Sequence, residues 1–206
     1  SNTTGSHNTS SGSFSLYTNT TAAENTALGY ASMRANTTGG KNTASGSEAL
    51  RLNTTGHYNT AVGECAVYAN TTGNINTGVG LWALKSNTTG ILNTATGGQS
   101  LQNNTTGGYN TASGIYALHS NTTASYNTAF GNNALGLNTT GDSNVAVGAQ
   151  ALDANTTASG NTAIGYATLS SNTTGANNVA VGSAALTTNT TAADNTAVGY
   201  ASLELN

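Results

Sequence analysis

Seven carboxylates, three histidines and one cysteine are the side chains here capable of acid–base, metal or nucleophilic chemistry. Their spacing decides whether they can act together. The acids Glu24, Glu48, Glu64, Asp142, Asp153, Asp194 and Glu204 are scattered along the chain, and only Glu48 and Glu64 fall in neighbouring units at adjoining positions of the repeat described below. A general acid/base pair needs a pocket as well as two carboxylates, so this pair is expected to be solvated. His7, His57 and His119 fall in separate repeats and cannot meet within one chain as a metal site. Cys65 has no second cysteine with which to form an intrachain disulfide. These spacings predict a chain that is not an enzyme and that has no metal and no cofactor.

Aromatic side chains give a different signal. Cys65, Trp82, Gln99 and Tyr116 recur 17 residues apart, with Leu81 and Ile115 preceding the two aromatics. Tyr109 and Tyr126 are also 17 apart. A ridge of rings suits stacking on sugars or docking a protein partner, so Trp82, Tyr116, Leu81, Ile115, Tyr109 and Tyr126 are the candidate ligand-binding residues. Packing between chains is the competing use of the same residues.

The spacing that aligns these residues runs through the whole sequence. Asn stands at 8, 25, 42, 59, 76, 93, 110, 127, 144, 161, 178 and 195, a constant step of 17 with no insertion. Residues 1–206 are therefore a single array of twelve units. Counted from that Asn, the unit reads N-T-A-x-G-x-x-A-L-x-x-N-T-T-G-x-x. The first position is always Asn, the fifth Gly and the twelfth Asn; the ninth is Leu except for Met33 and Val67, and the third Ala except for Ser10 and Gly78. Positions six, seven, ten, eleven, sixteen and seventeen vary freely, as solvent-facing sites do. The N-T-T-G at Asn2 to Gly5 belongs to a preceding unit, and Asn206 falls at the twelfth position of the last. The expectation is a segment of a longer fibre.

Composition narrows the class. Charged residues make up 5%, against about 25% in ordinary globular domains. Nucleic acid is not an expected partner, because Arg34, Lys41, Arg51 and Lys85 are the only bases in a chain of net charge −3. No apolar run approaches the roughly 20 residues of a membrane span, and the first residues do not read as a signal peptide. Disorder is disfavoured by the strict register of the ninth-position Leu and by the alternation in V-A-V-G at 145–148 and 179–182.

A 17-residue unit is shorter than the common helical repeats, and Gly, Asn and Thr form helices poorly. The pattern predicts an all-β fold, a parallel β-roll or β-solenoid of twelve coils about 55 Å long at strand spacing. T-A-x-G is expected as one strand and A-L-x-x as a second, with left-handed corners at the opening Asn and at N-T-T-G. Stacked coils place the first and twelfth Asn in ladders whose amides bond along the stack. The twelve N-T-T sequons, Asn2 to Asn189, are therefore expected to be structural rather than glycosylated. Alternation turns the third-position Ala inward with the Leu, and turns the second and fourth positions outward. One Leu and two Ala make a thin interior. Pairing between chains would bury the mixed fourth position, where Leu28, Val62, Val79, Phe130, Val147, Ile164, Val181 and Val198 are the trimer-interface candidates.

The stretches S-N-V-A-V-G at 143–148 and N-N-V-A-V-G at 177–182 resemble the N-S-V-A-I-G motif of YadA-type heads in trimeric autotransporter adhesins. The longer unit is similar to repeat tracts of phage-tail-fibre-like proteins. The resemblance covers all twelve units and implies a left-handed β-roll, a homotrimer, and a place outside the cell, on its surface or in a virion fibre. It also implies a structural or adhesive role toward a glycan or protein of host, prey or matrix, or service as a stalk. Ice binding is the alternative, because flat β-solenoids with regular Thr rows can order water. The two Thr of each N-T-T adjoin and are expected to point different ways, and the second-position row is broken by Val145 and Val179.

Overall fold

A computed structural model describes residues 2–204. Each unit is one coil of a β-solenoid, with a three-residue strand at its second to fourth positions, from β1 (Thr9–Ser11) to β12 (Thr196–Val198). The twelve strands form one parallel sheet in sequence order. Every residue pairs with its equivalent 17 positions on, as Thr60 with Thr77 and Val62 with Val79. Among the described residues there is no helix.

Alternation along the strand sets the two faces as expected. The third-position Ala is fully buried in coil after coil, while the second and fourth positions face out. The interior is completed by the eighth-position Ala and the ninth-position Leu, both at zero exposure through the middle of the array. Where Ser or Thr replaces the eighth-position Ala, its hydroxyl finds a carbonyl: Ser100 Oγ donates to Gly97 at 2.9 Å and Thr168 Oγ1 to Gly182 at 2.7 Å. A hydroxyl can therefore enter this core without leaving a polar group unpaired.

The expected second strand at A-L-x-x is absent. In its place stand three overlapping tight turns, in which the N–H of the eighth residue donates to the fifth, the tenth to the seventh and the twelfth to the ninth. In the coil of Gly46 these are Ala49 to Gly46, Arg51 to Glu48 and Asn53 to Leu50. The seventh and ninth residues have positive φ, such as Glu48 at 58° and Leu50 at 51°, the demand that a type II turn makes at its third residue. The remaining N–H groups leave the coil: Glu48 donates to Tyr30 of the coil before and Leu50 to Ala66 of the coil after. The backbone thus stays bonded between coils without a second strand.

The left-handed corners also differ from expectation. They fall at the seventh, ninth and seventeenth positions and not at the ladder Asn residues. Leu holds the ninth position despite a cost of about 1–2 kcal/mol for a non-Gly left-handed residue, because the turn must deliver a large apolar side chain to the interior. The fifth-position Gly serves another need. At Gly114, φ is +137° and an added Cβ would lie 2.4 Å from the carbonyl oxygen of Gly131.

Both Asn ladders form. Asn104 Nδ2 donates to Asn87 Oδ1 at 2.8 Å and to the Gly107 carbonyl at 2.9 Å, while its Oδ1 accepts from Asn121 at 2.8 Å. In the first-position ladder, Asn93 Oδ1 accepts the backbone N–H of Asn110 at 3.0 Å, and Asn93 Nδ2 donates to Gly107 at 2.8 Å. Both ladders therefore meet at the buried fifteenth-position carbonyl, whose two lone pairs are both used. The N-T-T Asn residues from Asn19 to Asn189 are buried, which closes them to a glycosyltransferase; Asn2 is exposed.

Candidate functional site

Three surfaces run the length of the rod: the outer face of the sheet, the turn side after the strand, and the flank before it. The fourth-position residues line the sheet face. Leu28, Val62, Phe130, Val147, Ile164 and Val198 are exposed, and Val79 and Val181 are half-buried. Coils eight to twelve make this stripe continuous, from Phe130 through Val147, Ile164 and Val181 to Val198, the last 70% exposed. Ser45, Thr96 and Ser113 interrupt it earlier.

On the turn side the sequence candidates do align. Trp82, Gln99 and Tyr116 occupy one row on successive coils, and Gln99 Nε2 donates to Tyr116 Oη at 3.4 Å. Leu81 and Ile115 are exposed beside them, and the Tyr116 ring meets His119 edge-on at 5.5 Å. Tyr109 and Tyr126 lie on the other flank, stacked with centroids 4.9 Å apart and planes 11° from parallel. Stacking along the rod turns one face of each ring toward the other.

Sequence reasoning missed the neighbours of the basic residues. All four lie over aromatic rings: Arg34 over Phe14 at 5.5 Å, Lys41 over Tyr58 at 5.3 Å, Arg51 over Tyr68 at 5.6 Å and Lys85 over Trp82 at 4.4 Å. The signal was present in two spacings: 17 residues for Lys41 with Tyr58 and Arg51 with Tyr68, and three across a turn for Trp82 with Lys85. It also missed an apolar run at the seventeenth position, where Tyr58, Ile75, Leu92, Tyr109 and Tyr126 follow one another in consecutive coils.

The titratable residues are engaged piecemeal. Glu48 pairs with Arg51 at 3.1 Å, and Cys65 Sγ lies 3.7 Å from Glu48 Oε2. Burial pushes the Cys65 thiol up, and the negative charge of Glu48 pushes it further, which suppresses the thiolate a nucleophile needs. His57 Nδ1 accepts the Gly40 N–H at 2.9 Å. Burial lowers the His119 pKa and raises that of Asp153, the latter partly offset by the backbone N–H groups of Ala154 and Asp153 itself. Among the described residues no three His, Cys, Asp or Glu side chains group closely enough to hold a metal ion.

The chain matches no protein family, no curated protein and no solved structure among those compared. Its functional reading therefore rests on the three surfaces and on the resemblance of its motifs.

Proposed function

We propose that this chain is a rigid structural and adhesive segment of an extracellular trimeric fibre, non-catalytic, at a cell surface or in a virion. The observation that carries the proposal is the outer sheet face. Five consecutive coils, from Phe130 to Val198, set an apolar side chain on the outer face, four of them exposed and Val181 half-buried. Such a stripe on a solenoid of constant register can bury itself against an identical stripe on a second copy. The resemblance to trimeric adhesin heads and tail-fibre-like repeats supports three copies. The turn side and the opposite flank then present weak contacts to a surface glycan or protein, and three copies of each contact add through avidity.

Charge placed in the stripe tests this. Val147→Asp with Ile164→Asp is expected to release folded monomers, with circular dichroism unchanged and sedimentation giving the single-chain mass. Retention of the parent's mass would remove the sheet face from the interface.

One observation favours ice binding as a second reading. The fourteenth position is Thr in every unit from Thr4 to Thr191 and exposed in every one, and these hydroxyls hold no hydrogen bond within the described residues. Every other exposed position changes between coils. The adjoining thirteenth-position hydroxyls turn to the next coil, as Thr54 Oγ1 does to Thr71 O at 2.9 Å, so a single row faces water. Thermal hysteresis that disappears on replacing central fourteenth-position Thr residues would support this reading, and no hysteresis at high concentration would end it.

A further inference from the structure

Three of the four basic residues of the chain stand on the turn side of coils two, three and five: Arg34, Arg51 and Lys85, all at the tenth position. The same side of coils six to twelve carries no Lys or Arg, has His119 at the tenth position of coil seven, and carries acids at Asp153 and Glu204. Each base is held against a ring. Arg34 lies over Phe14, whose own edge contacts reach Tyr17 at 5.7 Å and Tyr30 at 6.1 Å. Arg51 lies over Tyr68, donates to its hydroxyl at 2.8 Å and pairs with Glu48 at 3.1 Å, a carboxylate that an acidic ligand would displace. Lys85 sits closest, over Trp82. At strand spacing, the backbone positions of the three stand about 5 Å and about 10 Å apart along the rod, with the Arg34 head reaching back to a ring of coil one and the Arg51 head forward to a ring of coil four.

We propose that this strip binds an acidic oligosaccharide, one carrying carboxylates on uncharged rings. The assignment rests on reading the chain as an adhesive fibre and names the ligand class for one of its surfaces. One face of each ring is taken by its cation; the ring edges and the neighbouring apolar side chains Leu81 and Ile115 meet the apolar side of a pyranose, and a guanidinium matches a carboxylate with two parallel hydrogen bonds. Alternation of cation and ring along a straight line matches a polymer that alternates charge and apolar surface. Densely charged phosphate polymers fit worse. Glu48 and Glu64 lie among the three cations, and the chain as a whole has net charge −3, so a continuous polyanion meets repulsion that spaced carboxylates avoid. The strip is open along its length, as a linear chain requires.

Trp82 is the only tryptophan and lies in the strip, so its fluorescence reports binding on the unmodified protein. The titrants are hexagalacturonate, its methyl ester and a short oligodeoxythymidylate, each at low and moderate salt. A saturable change is expected with the acid and not with the ester, weakening as salt rises. Arg34→Gln/Arg51→Gln/Lys85→Gln is expected to weaken binding at least tenfold, whereas Lys41→Gln, before the strand, leaves it unchanged. No response to the acid, equal response to the ester, an unaffected triple variant, or preference for the oligonucleotide overturns the proposal. The mass of the same sample by light scattering separates the two readings: a trimer that ignores the acid keeps the fibre and loses the strip, and a monomer that binds does the reverse.

Discussion

Val67 and Gly78 depart from the repeat in adjacent coils, one at the ninth position where Leu is usual and the other at the third where Ala is usual. The structure makes them a matched pair. A Cβ added at Gly78 would sit 2.6 Å from Val67 Cγ2 and 3.2 Å from the Ala83 carbonyl oxygen, against about 3.5–4.0 Å for carbon atoms at rest. The branched methyl of Val67 occupies the space that the alanine methyl fills elsewhere. Gly78→Ala alone is expected to destabilise by about 1–2 kcal/mol: overpacking costs about 1–3, offset by about 0.4–1 from a stiffer unfolded chain. Val67→Leu alone is near neutral. It relieves a β-branched residue held at φ 51° and leaves a methyl-sized void costing about 1 kcal/mol. Together the two restore the Leu-over-Ala pair of other coils, such as Leu50 with Ala61, and are expected to gain about 1 kcal/mol, a coupling of about 2–3 kcal/mol. Urea unfolding of all four proteins at one protomer concentration, followed by Trp82 fluorescence in the coil of Gly78, measures the cycle. Additivity within about 0.5 kcal/mol would refute the packing argument.

Three further outcomes follow from the same geometry. Gly114→Ala meets the Gly131 carbonyl and a Gly-only φ at once and should cost about 3–5 kcal/mol, whereas Gly199→Ala in this segment, with its nearest new contact at 3.9 Å, should cost only the strain, about 1–3 kcal/mol; comparable thermal shifts for the two would contradict the close approach. Asn104→Ala strips partners from Asn87 and Asn121 and should lose about 3 kcal/mol in chemical unfolding, while Thr106→Ala, on the exposed row, should stay within about 0.5 kcal/mol of the parent. Cys65 should react with iodoacetamide more slowly than free cysteine at the same mildly alkaline pH, because its raised pKa leaves less thiolate; Glu48→Gln should speed the reaction, and an unchanged rate would remove Glu48 as a cause.

The period, the inward Ala and Leu, the outward fourth position and both Asn ladders were legible in the sequence, because each is a residue type repeated at a fixed step. The turns were not. A-L-x-x reads as a strand by its apolar pair, and nothing in Leu50 or Glu48 announces a left-handed backbone that Gly or Asn would ordinarily supply. The demand comes from closing a coil in six residues while still delivering Leu to its centre, a tertiary requirement that local preference opposes. Legibility of the surface followed the same division. Trp82 with Tyr116, and Tyr109 with Tyr126, were found by their shared position, but Arg34 over Phe14 joins residues 20 apart, an offset that the repeat alone does not single out. The complementarity of Val67 and Gly78 was visible only as two irregularities until the coils were stacked.

The central claim is that the outer sheet face of this solenoid is covered by other copies of itself. Light scattering coupled to size exclusion measures that directly on the unmodified segment. The account predicts a mass near three times 20.3 kDa. A folded species at 20.3 kDa, holding that mass across a wide range of concentration, would contradict it and leave a free-standing solenoid with its apolar stripe in water.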